Sequence, residues 1–173
     1  TVFDSVVRSV LAKVTLFILQ HATRIFAVSH YLKQQLIQCG FPSEKIVVNY
    51  NGIDFEKLES FRNDSFPKKY DLCFMGRIEE SKGIREFVYL VKNMKESQPN
   101  IQAVVIGDGS FLNEAKNLIQ DENLNTNIAV TGFLGTERYS YLQQSRVFVS
   151  PTYANEGFGL SIIEALYFKV PAV

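Results

Sequence analysis

The sequence has no excess of charge of either sign: 18 Lys and Arg residues balance 18 Asp and Glu. Such a balance provides no basic field for a polyanion, so nucleic acid is not an expected partner. Cysteine is scarce. Cys39 and Cys73 are far apart, with no metal-ligand spacing, and Cys73 lies in an apolar run as a small core residue would. So few cysteines fit a reducing compartment. No D-x-D, clustered His/Cys or H-E-x-x-H occurs, and no bound metal is expected. G-x-S-x-G and P-loop patterns are also missing. His21 and His30 are isolated and read as structural. No apolar run is long enough to span a membrane: Val2–Gln20 is apolar-rich, but Asp4, Arg8 and Lys13 interrupt it. A packed amphipathic helix is favoured there over an interfacial membrane helix. No secretory signal is readable, and no internal repeat or low-complexity tract is evident. The chain opens without Met and stops at Pro171-Ala172-Val173, the start of a strand, so both ends read as cut.

What is present is an alternation. With 46% hydrophobic residues the chain can bury a core. Ile25–Val28 reads as a strand. A helix from His30 to about Cys39 follows, capped by Ser29 and stopped by Gly40, and then a strand over Lys45–Asn49. Residues 51–69 have turn and linker composition. Beyond them, Leu72–Met75, Ile101–Ile106, Ile128–Thr131 and Val147–Val149 read as strands. The helices between and after them start at Ser81 as cap, at Phe111, at Glu137 and at Gly159. Strands alternating with helices predict α/β architecture with a parallel sheet. The expected organisation is the tail of one Rossmann-like domain (1–50), a linker (51–69) and most of a second such domain (70–173).

In such a sheet, ligands bind outside the carboxyl ends of the strands. Those ends carry Gly76-Arg77, Gly107-Asp108-Gly109, Gly132-Phe133-Leu134 and the loop Ser150–Phe158. Arg77 offers a bidentate fork and Lys82 a point charge for a diphosphate. Two solvated cations beside Glu79 and Glu80 explain them equally well. Gly107 and Gly109 are half of a dinucleotide fingerprint, with no third glycine, and a tight strand-to-helix turn accounts for them as readily. Gly157 and Gly159, after Glu156, let backbone amides at a helix start approach an anion. Glu164 is the only charged residue between Gly157 and Phe168. A carboxylate in so apolar a helix needs partners; a sugar diol would supply two donors, and a structural ion pair is the alternative.

As an ordered set these segments resemble the family-4 retaining glycosyltransferases of the GT-B fold. The segments are Phe26-Ala27-Val28-Ser29, Val48-Asn49-Tyr50-Asn51-Gly52-Ile53-Asp54, Phe74-Met75-Gly76-Arg77 with Lys82-Gly83, Val105-Ile106-Gly107-Asp108-Gly109, Thr131-Gly132-Phe133, and Val149-Ser150-Pro151 through Glu156-Gly157-Phe158-Gly159-Leu160 to Glu164-Ala165-Leu166. Glu156 and Glu164 match the family's E-x7-E pair. The resemblance implies that Arg77 and Lys82 hold the donor diphosphate. It puts Glu156 and the amides of Gly157, Phe158, Gly159 and Leu160 at the donor sugar, and Glu164 at the ribose hydroxyls. Backbone at Gly132, Phe133 and Leu134 would meet the base. Three departures stand out: Tyr50, the missing proline in Asp108-Gly109-Ser110, and Tyr167-Phe168-Lys169, where small residues and glycine are usual. The resemblance implies that most of the N-terminal acceptor domain and the end of the donor domain lie outside this sequence, so the family's N-terminal glycine loop and catalytic-region histidine are not assigned here.

The resemblance implies a metal-independent enzyme without cofactor. It would move a sugar from a nucleotide-diphosphate sugar to a saccharide or glycolipid acceptor with retention. The expected place is the cytoplasm or the cytoplasmic face of a membrane, with peripheral membrane association of the full-length protein. Three other readings compete: a nucleotide-sugar epimerase of GT-B architecture, a non-catalytic sugar-nucleotide-binding module, and a nicotinamide-binding Rossmann domain. The last needs a complete glycine fingerprint and an acidic residue near the end of the next strand, and Ile128–Gly132 has none.

Overall fold

A computed structural model describes Val14, residues 17–153 and residues 156–173. The chain divides into two compact units, Thr1–Gly52 and Ile53–Val173.

In the first unit, β1 (Ile25–Ala27) and β2 (Ile46–Val48) pair in parallel, Ile25 opposite Ile46 and Ala27 opposite Val48. Helix α1 (His30–Gln38) connects them. The Ser29 hydroxyl accepts the Leu32 N–H at 3.2 Å, and Gly40 takes φ +91° just past the end. These are the cap and stop that the sequence predicts. Ile25, Ala27, Phe41 and Ile46 are buried together. Residues 17–20 are helical; the rest of the helix expected over Val2–Gln20, Val14 apart, lies outside the described residues.

The second unit is built on one four-stranded parallel sheet. Its strands are β3 (Tyr70–Met75), β4 (Ala103–Ile106), β5 (Ile128–Gly132) and β6 (Ser145–Phe148), in the order β5-β4-β3-β6. Helices α2 (Phe55–Glu59), α3 (Ile84–Ser97), α4 (Leu112–Asp121), α5 (Arg138–Gln143) and α6 (Leu160–Tyr167) complete it. Side chains alternate across the sheet, as the two-residue period of a strand requires. Leu72 and Phe74 of β3, with Ala103 and Val105 of β4, face a core made by Phe87, Val88 and Val91 of α3 and Ala115 and Ile119 of α4. Cys73 and Met75, with Val104 and Ile106, face Tyr139 and Leu142 of α5 and Ala165 of α6. Both faces are covered, which is why these strands read as continuous apolar runs rather than alternating ones. Each fully buried Phe, Ile or Val contributes about 1.5–3 kcal/mol relative to exposure.

Two local expectations need correction. Ser81 does not cap α3: Glu80–Lys82 forms a 3-10 turn and Gly83, at φ +76°, precedes the helix. A Cβ on Gly83 would overlap the Pro151 carbonyl oxygen, so the α6-side loop dictates glycine there. Residues 51–69 are not all turn and linker. Asp54 accepts the Lys57 N–H at 2.9 Å and starts α2, whose Leu58 is buried against the α5–α6 face of the core. The strand expected to start at Pro171 is present as a parallel bridge, with Ala172 beside Phe148. Phe148 N–H donates to Pro171 O at 2.8 Å, and Ser150 N–H to Val173 O at 2.8 Å.

Candidate functional site

The carboxyl ends of β3, β4 and β5 are joined beyond the strands themselves. Gly76 N–H donates to Ile106 O at 3.0 Å, and Gly107 N–H donates to Gly132 O at 2.9 Å. Gly107 has φ +147°, and a Cβ there would overlap the Gly76 carbonyl oxygen; one on Gly109 would overlap Ile78 O. These two glycines therefore serve the close approach of neighbouring loops, the tight-turn alternative of the sequence reading. Gly76 differs, because a Cβ on it would meet open space.

That open space is a cleft of about 350 Å³. Its floor is Met75, Gly76, Ile106 and Gly107; Arg77, Asp108, Phe133, Leu134, Arg138, Leu160, Ser161 and Glu164 complete the wall. Three strand-end loops, the start of α5 and the first turns of α6 thus meet in one place. Phe133 is 79% exposed although aromatic, and lines this cleft. Arg77 also reaches it, but its side chain is 71% exposed and donates to Glu79 Oε1 at 2.7 Å. That exposure and that partner are those of the solvated cation in the alternative reading.

Glu164 lies on the inner side of α6 with its side chain only 16% exposed. Its Oε1 accepts the Tyr139 hydroxyl at 2.9 Å and Arg138 Nη2 at 3.1 Å. The structural ion pair considered for this carboxylate exists, and it opens onto the cleft. Burial, and then the hydrogen bond to Glu164, push the Tyr139 hydroxyl up to about 12.

Lys82 and Glu156 do not line the cleft. They form an ion pair with each other, Lys82 Nζ to Glu156 Oε1, with side chains 17% and 38% exposed. The loops carrying them are laced together: Thr152 Oγ1 and Tyr153 N–H both donate to Ser81 O, each at 3.2 Å. This pair has a defined place in the topology. The chain runs β3, β4, β5 to one side, then β6 returns to the other side of β3. The β3–β6 boundary is the switch point of the sheet, where ligands of doubly wound folds bind. Gly159 takes φ +73° at the start of α6 and no side chain caps that helix.

Of the residues singled out in the sequence, the cleft gathers Gly76, Arg77, Gly107, Phe133, Leu134, Leu160 and Glu164. Lys82, Gly109, Gly132, Glu156, Gly157, Phe158 and Gly159 are outside its lining. Arg138 and Tyr139 escaped the sequence reading. The available signal was Arg138 itself, the one cation of α5. Among the described residues no group of three or more His, Cys, Asp or Glu is arranged to hold a metal. Among them, too, no helix is long and apolar enough to cross a membrane.

Comparison with known proteins agrees with this architecture. Residues 55–173 match the family described as Glycosyl transferases group 1, and residues 2–57 match Glycosyltransferase Family 4. The capsular polysaccharide biosynthesis glycosyltransferase CapM of Staphylococcus aureus is 31% identical over 170 residues, covering 88% of this chain and 43% of CapM. An uncharacterized glycosyltransferase of Methanocaldococcus jannaschii, MJ1069, is 29% identical over 159 residues, covering 86% of this chain and 40% of that protein. The chain thus spans less than half the length of these relatives. Among solved structures, TarM superposes with a TM-score of 0.78 at 20% identity, over 93% of this chain and 31% of TarM. Anabaena HepE in complex with UDP-glucose gives 0.76 at 19% identity, over 92% of this chain and 47% of HepE. These likenesses establish the GT-B fold. With a family match across 55–173, this chain belongs to the group 1 glycosyltransferases.

Proposed function

We propose that the whole protein is a metal-independent, retaining glycosyltransferase that takes its sugar from a nucleotide-diphosphate donor bound in the second unit. The observation that carries this reading is Glu164: a nearly buried carboxylate, held by two donors, at the wall of a cleft on the carboxyl edge of a parallel sheet. A carboxylate has acceptor capacity for about four hydrogen bonds, so two remain for the hydroxyls of a ribose. Phe133, exposed at the same cleft, offers an aromatic face beside the backbone that would meet the base.

The switch point supplies the charge. Lys82 is held by Glu156 and neighbours the uncapped start of α6 in the connectivity of the sheet. A departing diphosphate would draw Lys82, the free amides of that helix and the fork of Arg77, a preorganised electrostatic stabilisation of the leaving group. With those cations in place no metal is required for charge neutralisation. Glu156, released from Lys82, would face the donor sugar; no covalent nucleophile is assigned. HepE, with UDP-glucose bound, supports a nucleotide-sugar donor, and CapM, named for capsular polysaccharide synthesis, supports a saccharide or glycolipid acceptor. The reaction would run in the cytoplasm or at the cytoplasmic face of a membrane, with peripheral membrane association of the whole protein.

Product analysis tests this directly. The complete protein, incubated with a donor panel and excess EDTA, should transfer sugar with the anomeric configuration of the donor, read from proton coupling constants. Inverted product, or activity abolished by chelation and restored by manganese, would overturn it.

A further inference from the structure

Arg138 and Tyr139 form a clamp that no motif of the sequence announces. Arg138 Nη2 donates to Glu164 Oε1 at 3.1 Å and to the Tyr139 hydroxyl oxygen at 2.6 Å, while Nη1 donates to Gly135 O at 2.9 Å. The guanidinium carbon sits 4.3 Å from the centroid of the Tyr139 ring. That ring is packed in turn against Phe61 and Phe168, at 5.2 and 5.3 Å between centroids. The tyrosine hydroxyl then donates to Glu164 Oε1 at 2.9 Å. Its high pKa keeps it protonated, hence a donor, over any working pH.

Geometry gives this clamp a purpose beyond packing. Both donors meet the same carboxylate oxygen, so Oε2 does not enter the clamp. A glutamate has flexible side-chain torsions, and its terminal torsion is broad. Two donors from a rigid aromatic and a stacked guanidinium fix the plane of the carboxylate. Arg138 also lines the cleft, so the clamp acts at its wall. Recognition of a vicinal diol needs a fixed acceptor pair, and discrimination against a ligand lacking one hydroxyl depends on how firmly the acceptor is held. We infer that Arg138 and Tyr139 are positioning residues that set the preference of Glu164 for a ribose over a 2′-deoxyribose donor, an inference that rests on the donor reading above.

The experiment compares ratios, which are insensitive to the folded fraction. UDP, GDP and ADP are titrated into the complete protein, and the tightest binder is compared with its 2′-deoxy counterpart in wild type, Tyr139→Phe, Arg138→Met and Arg138→Lys. Tyr139→Phe removes one oxygen and keeps the ring between Phe61 and Phe168. The wild-type preference for the ribo form should be on the order of tenfold. Tyr139→Phe and Arg138→Met should bring it within about threefold, and Arg138→Lys, which retains charge but not the fork, should fall between. Preferences unchanged in all three variants would overturn the positioning role and leave the donor reading standing. Equal wild-type binding of both forms would overturn it as well. No wild-type binding of any nucleoside diphosphate would remove the donor reading and this inference together.

Discussion

Gly76 and Gly107 end neighbouring strands and are glycines for opposite reasons. Gly107 is fixed by backbone geometry: φ +147° and a carbonyl oxygen where a Cβ would go. Gly107→Ala should cost about 3 kcal/mol or more in urea denaturation, because neither the turn nor the Gly76 carbonyl can yield cheaply. Gly76 has open space at the cleft floor. Gly76→Ala should leave the denaturation midpoint within error and weaken nucleotide binding; a large loss of stability would show that the space is not a ligand site. The cations differ in the same way. Lys82 is mostly buried against Glu156, whereas Arg77 is largely solvated against Glu79. Lys82→Ala in the complete protein should lower kcat/KM by about 10²–10³, or 2–4 kcal/mol of transition-state stabilisation. Arg77→Ala should cost less, about tenfold. Stability should change little in either case, since each ion pair has a solvated partner. Wild-type turnover in both variants would reduce these residues to surface charges.

Among the elements, strands were the most legible in sequence. The four runs of the second unit are apolar because both sheet faces are covered, and each was bounded by turn residues. β5 starts at Ile128 as read, and the other three starts differ by two residues because pairing, not hydrophobicity, sets them: Tyr70 pairs with Ser145 across β3 and β6 although neither is strongly apolar. Helix α2 was hidden because five residues give no helical period; its cap Asp54 and its buried Leu58 become evident only against the core. Glu164 was legible as a lone charge in an apolar helix. Arg138 was not, because its partner is 26 residues away, and the Lys82–Glu156 pair spans 74. No local pattern records such pairings. The end of α6 shows one legible oddity. Lys169 takes φ +58°, and its side chain makes an exposed 3.6 Å ion pair to Asp64. A left-handed lysine costs about 1–2 kcal/mol, and the lost pair is worth little. Lys169→Gly should therefore stabilise by about 0.5–1 kcal/mol after the entropy of the unfolded glycine is counted. Lys169→Ala should not stabilise. Equal midpoints for the glycine and alanine variants would show that the turn carries no strain.

At the scale of the molecule, the candidate site belongs to the sheet rather than to any segment. Arg77 and Lys82 follow β3, Asp108 follows β4, Phe133 follows β5, and Glu156 and Glu164 follow β6. All four strands run parallel, so these residues lie along one edge, and the order β5-β4-β3-β6 makes the ends of β3 and β6 neighbours. A ligand that bridges these loops must stabilise the fold by mass action, about 2.7 kcal/mol at a hundred times its dissociation constant. The most direct test is calorimetric titration of UDP, GDP and ADP into the complete protein, as wild type, Lys82→Ala and Glu164→Gln. At least one nucleoside diphosphate should bind wild type with one-to-one stoichiometry, and each substitution should weaken it by about tenfold or more. No binding of any of the three to wild type, or unchanged affinity in both variants, would contradict it.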